Sequence, residues 1–399
     1  MGNPFRPGTI RERFNLSCDP VRGTVYSERM KMIFALLVAV SRQAAPSEKE
    51  ATEFARKIES SILTDEGAWV DQNFDLVGLL ETALKDVQGD PKRKDGFGRG
   101  VRESFQLGKA TAEAVKEKGR YTFIRTRSIG GKVRLLFRLV TPAGFNYHDF
   151  LLGSSAKSGL AIVDLYIYTS GEWISQTFRR AFVTMLASDP AGGKLRDNEY
   201  MKNLDKIQKM TALKNEGKNA EVLQVFASLP AGLKTDKTLL LMRCQAALEV
   251  GEKEAIEAIE AMRKVYPQDP ALSLLSIQPF LSLKKYDQAL ACVDALEKET
   301  GGDPYLDYER GEIQFAAGAM DKARQAGVRA VETDPKLKEP RWLLVSVSLR
   351  EKKFDETARQ LTAIEKELGI RIADLTRVAV YAEFVKSPEY GDWMKSRGQ

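Results

Sequence analysis

The single histidine of this 399-residue chain, His148, stands beside a carboxylate in the segment Asn146-Tyr147-His148-Asp149. A histidine acts as a general base when a nucleophile or an activated water lies within hydrogen-bond reach. Consecutive side chains of a strand point to opposite faces, so Asp149 is poorly placed to orient His148. We therefore expect a structural or pocket-lining histidine and assign no catalytic residue. One histidine also excludes a His-based zinc site, and we predict neither a metal site nor a cofactor.

A second segment that could do chemistry is the glycine-rich run Gly96-Phe97-Gly98-Arg99-Gly100. Phosphate-binding glycine loops follow a strand and enter a helix through a Lys-Ser/Thr pair, and this run has neither. Contact with a phosphate or an anionic membrane is an alternative, because basic residues surround the run: Lys92, Arg93, Lys94 and Arg102. The simpler prediction is a solvated loop between two helices.

Aromatic residues concentrate farther along the chain, at Phe145, Tyr147, Tyr166, Tyr168 and Trp173. The pattern favours packing in a core or along a cavity wall. Base stacking would require these rings on a basic sheet face, and neighbouring arginines keep that alternative open: Arg125, Arg127, Arg134 and Arg138. We nevertheless expect no nucleic-acid partner, because most of the excess positive charge lies in another part of the chain.

The composition is that of a globular protein, with 43% hydrophobic residues, 29% charged residues and a formal net charge of +6. It excludes wholesale disorder and a collagen-like chain. Residues 1–46 hold seven Lys/Arg and three Asp/Glu, a net charge of +4, which leaves +2 for the remainder. Removal of this segment would take away the main compositional support for an anionic partner.

Residues 1–46 form a predicted leader. Its apolar run Met32–Val40 follows Met30-Lys31 and precedes small residues, which is the pattern of a signal peptide cleaved after Ser41. The run is too short to span a bilayer, so no transmembrane segment is predicted. We expect translation to start at Met30 or Met32 and the protein to be exported, to a bacterial periplasm or the medium. The alternative is a short buried helix in a cytoplasmic protein.

The elements that position the candidate residues divide at the turn-rich segment 189–194. Before it we predict helices, beginning with a capping box from Ser47 to Glu50, and then an antiparallel meander of four strands. Gly130-Gly131 marks a hairpin turn. A last helix, 172–187, closes this α+β domain, which we assign to residues 47–188.

Helices followed by a curved antiparallel sheet resemble the nuclear transport factor 2-like superfamily. The closing segment, from Ile162-Val163-Asp164 through Gly171 to Arg179-Arg180-Ala181-Phe182, resembles the periplasmic phospholipid carriers of the Mla lipid-transport pathway. The resemblance implies a cavity for apolar chains between helices and sheet. The candidate wall is Phe123, Leu135, Phe137, Tyr147, His148, Phe150, Leu165 and Ile167. An enzyme on this fold would need convergent polar groups, for which the candidates are His148, Asp164 and Tyr147.

The C-terminal half repeats. Asp269-Pro270 and Asp303-Pro304 are 34 residues apart, as are Ala255, Ala289 and Ala323. A 34-residue period of paired helices is typical of tetratricopeptide repeats (TPR), and the unit from Pro304 resembles that family best. We assign residues 189–199 to a linker, 200–389 to an all-α TPR solenoid whose final helix, 372–384, caps the open end, and 390–399 to a tail. Cys244 and Cys292 lie on apolar helix faces and are predicted to be buried free thiols.

The concave face of such a repeat array is built by the first helix of each repeat, where tyrosine and tryptophan are favoured interface anchors. The predicted groove residues are Lys237, Leu240, Gln278, Leu281, Tyr305, Tyr308, Glu312, Trp342 and Arg350. For Trp342, packing against neighbouring helices is an equal alternative. We therefore predict a non-enzymatic scaffold that binds a protein or peptide in this groove. The alternatives are a carrier of a lipid or another apolar ligand and, less favoured, an enzyme on the N-terminal fold.

Overall fold

The structure, a computed structural model, describes residues 46–87, 89–116, 118–142, 144–155, 159–187, 199–267 and 269–397. The predicted leader, apart from Pro46, and all of the predicted linker except Glu199 lie outside these residues. The chain divides into two compact units, one up to Val250 and one from Gly251. In the described residues, no helix is both long enough and apolar enough to cross a membrane.

The first unit opens with five helices. The capping box predicted at Ser47 is confirmed, because the Glu50 backbone N–H donates to the Ser47 hydroxyl and the Ser47 N–H donates to the Glu50 carboxylate. The helices are α1 (Glu48–Thr64), α2 (Ala68–Gln72), α3 (Leu76–Leu84), α4 (Pro91–Ser104) and α5 (Leu107–Lys116).

The loop predicted at Gly96–Gly100 is wrong, because these residues lie inside α4. Asp90 caps this helix and Pro91 occupies its first position, which together start it firmly. Phe97 is buried and its ring centroid lies 5.1 Å from that of Phe182. Burial of this face outweighs the low helix propensity of the glycines.

Five antiparallel strands follow in the order β1-β2-β3-β4-β5. Gly130 and Gly131 both have positive φ, as the predicted hairpin turn requires. Four strands were predicted; the fifth has two residues, which is too short for a hydrophobic alternation to indicate a strand. The strands are β1 (Arg120–Ile129), β2 (Lys132–Thr141), β3 (Gly144–Ser155), β4 (Gly159–Ile167) and β5 (Glu172–Trp173).

One face of the sheet packs on helices and forms the core of the first unit. Phe137 is fully buried, and its ring centroid lies 5.1 Å from Tyr121, 5.4 Å from Phe123 and 5.3 Å from Phe150. The helix α6 (Ile174–Ala187) completes the cover, with Phe178 and Phe182 in the same core. Asp164 holds the start of α6 by accepting hydrogen bonds from the Ser175 backbone N–H and hydroxyl.

His148 belongs to this core, and its buried state predicts acid sensitivity. Its Nδ1 lies 3.1 Å from the Tyr121 hydroxyl oxygen, and burial lowers the pKa of His148 from 6.5 to about 4. The folded state therefore resists protonation of His148, whereas the unfolded state accepts the proton near pH 6.5. This contribution to the free energy of unfolding is fully present above pH 6.5 and is lost as the pH drops to 4. We expect a loss of about 3 kcal/mol across that window.

Urea unfolding between pH 4 and pH 7, followed by fluorescence, checks this expectation. The variant His148→Gln removes the titration, so its unfolding free energy should fall less steeply with acid than that of the native chain. Parallel curves for the two proteins would show that His148 is not held neutral by the fold.

The first unit ends with helices of the repeat region: α7 (Glu199–Lys202), α8 (Leu204–Asn215), α9 (Asn219–Ala227) and α10 (Lys237–Val250). The second unit continues with α11 (Glu252–Val265), α12 (Pro270–Ser282), α13 (Tyr286–Thr300), α14 (Pro304–Ala316), α15 (Met320–Thr333), α16 (Lys338–Arg350), α17 (Phe354–Leu368) and α18 (Pro388–Ser396).

The predicted 34-residue period is present in these helices. The second helix of each pair begins at Glu252, Tyr286, Met320 and Phe354, each 34 residues after the last. Small residues allow the close approach within a pair, as predicted, since Ala323 and Ala330 are fully buried. Cys244 and Cys292 are buried thiols, as predicted, and burial raises the pKa of each.

The capping helix predicted at residues 372–384 is wrong. That segment contains turns and the short 3-10 helix Ala379–Tyr381, a second 3-10 helix, Phe384–Lys386, begins at its last residue, and the last helix of the described residues is α18. Ser387 caps α18 and Pro388 takes its first position, so the helix begins where its start signal lies. The earlier segment lacks such a signal, although Ile372, Leu375 and Phe384 are buried in the terminal core.

Candidate partner-binding site

The predicted cavity wall of the first unit occupies the helix-covered sheet face, with one exception. Phe123, Phe137, His148 and Ile167 follow one another across neighbouring strands. Leu135, Phe150 and Leu165 form the next such row. Tyr147 lies on the opposite face, because it precedes His148 in β3.

The opposite face carries the aromatic residues that the sequence analysis singled out. Tyr166 is central, with ring centroids 5.3 Å from Tyr168 and 5.5 Å from Trp173. Buried Asp149 accepts hydrogen bonds from Arg127 at 2.7 Å and Arg134 at 3.0 Å. His148 and Asp149 thus face apart, as strand alternation predicted, and His148, Tyr147 and Asp164 do not converge.

Two residues at the start of α10 contact the sheet domain. Lys237 Nζ lies 3.2 Å from the Tyr166 hydroxyl and 5.3 Å from the centre of its ring. Arg180 donates to Thr238 at 3.0 Å while it pairs with Glu172. Lys237, predicted as a groove residue, is therefore engaged within the first unit, and Leu240 on the same helix is fully buried.

In the second unit, the central element is α14. Asp303 caps it by accepting a hydrogen bond from the Tyr305 backbone N–H at 3.1 Å, and Pro304 takes the first position. A side chain at Gly311 would meet Leu343 at 2.4 Å, so glycine permits the approach of α16. Gly311 therefore marks the side of α14 that packs against α16.

Another side of α14 carries four residues, which we call the Tyr–Glu cluster: Tyr305, Tyr308, Glu309 and Glu312. The two tyrosine rings pack edge to face with centroids 5.1 Å apart. Tyr305 is buried, whereas Tyr308 and Glu312 are partly exposed. The structure thus brings together three of the predicted groove residues and adds Glu309.

Glu309 is the unusual member. Its side chain is 5% exposed, and its Oε2 atom is buried without a hydrogen-bond partner among the described residues. Burial and the neighbouring Glu312 raise the pKa of Glu309 to about 8. Glu309 is therefore mostly protonated at neutral pH.

The other polar groups of the cluster respond in the same direction. Burial raises the pKa of Glu312. Burial and the carboxylates of Glu312, Glu309 and Glu339 raise the pKa of the Tyr308 hydroxyl above its ordinary value. The Tyr–Glu cluster is consequently partly desolvated, and the raised pKa values favour the protonated, neutral forms of its acidic groups.

Three arginines on α14, α15 and α16 are engaged by other carboxylates. Arg310 pairs with Asp294 at 2.8 Å and Glu297 at 2.7 Å on α13. Two others are also paired: Arg329 on α15 with Asp307, and Arg341 on α16 with Glu367. Among the described residues, no ion pair reaches Glu309 or Glu312.

The remaining predicted groove residues are spread over α12 and α16. Gln278 and Arg350 are exposed, and Leu281 is partly exposed. Trp342 packs against the terminal core around Val345 and Leu361, which favours the packing alternative for this residue.

Glu309 was missed because a single carboxylate on a helix usually indicates a solvated face. One signal was present, since Glu309 lies four residues after Tyr305 and three before Glu312, on the same helical face. Its burial depends on what packs around α14 and could not be read from spacing.

The fold and the site describe an α+β domain joined to TPR-like helical repeats. Among solved structures, the chain is similar to residues 41 to the end of MamA from Desulfovibrio magneticus RS-1, with 20% identity and a TM-score of 0.37, over 42% of this chain and 95% of that one. It is also similar to a thermophilic TPR protein of Thermus thermophilus, with 17% identity and a TM-score of 0.30, over 46% and 97% of the chains. No protein-family model and no curated protein matches. The repeat assignment rests on the helix spacing of this chain itself.

Proposed function

We propose that this protein is a non-enzymatic interaction scaffold that binds a protein or peptide partner along the first helices of its TPR-like repeats, centred on α14. The observation that carries the proposal is the Tyr–Glu cluster. Tyrosines with few rotatable bonds meet there, on one helix face, with the Glu309 carboxylate, whose Oε2 atom has no polar partner among the described residues. Such a face gains more from a partner than from water, because a buried polar group without a hydrogen bond is costly.

The flanking residues support a surface larger than the cluster. Gln278 on α12 and Arg350 on α16 are exposed and occupy first helices of the neighbouring repeats. An extended segment crossing successive first helices would contact one such residue per repeat. The second helices supply a natural control, since the proposal gives them no partner contact.

Site-directed photo-crosslinking tests the proposal. A photoreactive amino acid is placed at Gln278, at Arg350 and, as a control, at exposed Lys298 on α13. We expect one and the same protein to be captured at the first two positions and not at Lys298, and the capture to weaken with Tyr308→Ala. Equal capture at all three positions, or none at any, would contradict a binding face on the first helices.

The proposal includes export, with the leader removed after Ser41, and a nuclear transport factor 2-like fold for residues 47–188. Export is supported by the charged, apolar and small-residue segments around Met32–Val40. The mass of the purified chain tests it, because cleavage leaves Arg42 as the first residue. A chain that keeps residues 30–41 after expression in its host would overturn the export proposal.

A further inference from the structure

The unpartnered carboxylate of Glu309 limits the chemistry of what can bind at the Tyr–Glu cluster. Glu309 and Glu312 lie on one face of α14, and neither has an ion-pair partner among the described residues. An anion would be repelled by whichever carboxylate of the cluster is ionised, whereas a cation favours that ionised form. A ligand that donates hydrogen bonds and carries positive charge would satisfy Glu309 Oε2 and offset the cost of its burial.

A metal ion is a poorer fit than an organic cation. The described residues contain no group of three or more His, Cys, Asp or Glu side chains arranged to hold a metal. Tyr308 adds an aromatic ring beside the carboxylates, in edge-to-face contact with Tyr305 at 5.1 Å. Ammonium and guanidinium groups bind both to carboxylates and to the faces of tyrosine rings.

We infer that the Tyr–Glu cluster is a subsite for a lysine or arginine side chain of the partner, which seats against Glu309 and Glu312 with its stem along Tyr308. The inference rests on the proposed function and specifies the chemistry of its partner. The long apolar stem of either side chain suits a partly buried site whose charged end must reach a carboxylate.

Binding of the cation is coupled to release of a proton. In the free protein Glu309 keeps its proton up to a pH of about 8. The bound cation favours the ionised form, so the carboxylate must lose that proton on binding. Affinity for the cation should therefore rise with pH, by about tenfold per pH unit below 8.

Glu312 titrates in the same direction as Glu309, because burial raises its pKa too, and its ionised form also favours a cation at higher pH. Glu312 on α14 raises the pKa of Glu309, and Glu339 on α16 acts on Tyr308. The cations Arg310, Arg329 and Arg341 are paired with other carboxylates.

The probe is a set of capped twelve-residue peptides of alanine, serine and tyrosine that differ only at one central position, which is lysine, arginine or norleucine. Binding to the full chain is measured by calorimetry at pH 6 and pH 8. We expect the lysine or arginine peptide to bind at least tenfold more tightly than the norleucine peptide at pH 8, and this preference to shrink at pH 6.

Two variants test whether Glu309 causes the preference for the lysine or arginine peptide and its dependence on pH. Glu309→Gln preserves the shape of the protonated acid and should abolish both the preference and its pH dependence. Glu332→Gln removes the same charge from an exposed position on α15 and should leave both intact. Carbon-13 NMR of the glutamate side chains should show the pKa of Glu309 falling when the lysine or arginine peptide is added.

The outcomes separate the two proposals. Equal affinity for all three peptides, unchanged by Glu309→Gln, would overturn the cation subsite and leave the scaffold proposal standing. A failure of every peptide to bind would also overturn the subsite, while the crosslinking experiment decides independently whether the first helices bind a partner.

Discussion

Replacing Glu309 with glutamine should stabilise the second unit by about 4 kcal/mol at pH 8, an unusually large gain for a single substitution. The folded state holds the Glu309 proton up to about pH 8, whereas an exposed glutamate releases it near 4.5. The free energy of unfolding therefore falls as the pH rises from 4.5 to 8, because Glu309 ionises in the unfolded state over this range but stays protonated in the folded state. The amide of glutamine is neutral at every pH and escapes this loss.

Urea unfolding at pH 5, 6, 7 and 8, with hydrogen exchange of α14 as the local readout, measures the effect. We expect the difference between Glu309→Gln and the native chain to widen with pH, and Glu332→Gln to follow the native chain. A constant difference across the range would show that Glu309 is already ionised in the folded protein.

Truncating Phe137 to alanine should destabilise the first unit by about 3–5 kcal/mol. Phe137 has no exposed surface and contacts three aromatic rings, so the substitution removes a packed side chain and leaves a void. The prediction bears directly on the carrier alternative, because Phe137 belongs to its candidate wall. A residue lining an open or lipid-filled cavity would lose fewer contacts.

The matched control is Leu63→Ala, which truncates an apolar side chain that is 54% exposed and should cost less than about 0.5 kcal/mol. Unfolding free energies of both variants in urea provide the comparison. A cost below about 2 kcal/mol for Phe137→Ala would favour a cavity over a filled core.

Local signals accounted for much of the fold. The capping box at Ser47, the Gly130-Gly131 hairpin and the 34-residue helix spacing were all readable because each depends on residues close in sequence. The errors arose where tertiary packing overrode a local preference. The glycine-rich segment became part of α4 because Phe97 is buried, and the capping helix moved to α18 because its start signal lies at Ser387-Pro388.

The candidate site shows the same division. Tyr305, Tyr308 and Glu312 were predicted from the repeat register, which a 34-residue period determines along the whole array. Glu309 was not, because its burial and altered pKa arise from the helices that pack around α14.

By itself, the sequence determined the helix caps, the hairpin turn and the 34-residue repeat of helix pairs, since hydrophobic periodicity and caps act over a few residues. Only the tertiary structure decided which polar groups lose their water, because desolvation depends on neighbours that are distant in the chain. That loss of water makes Glu309, one ordinary carboxylate among many in the sequence, the centre of the proposed site.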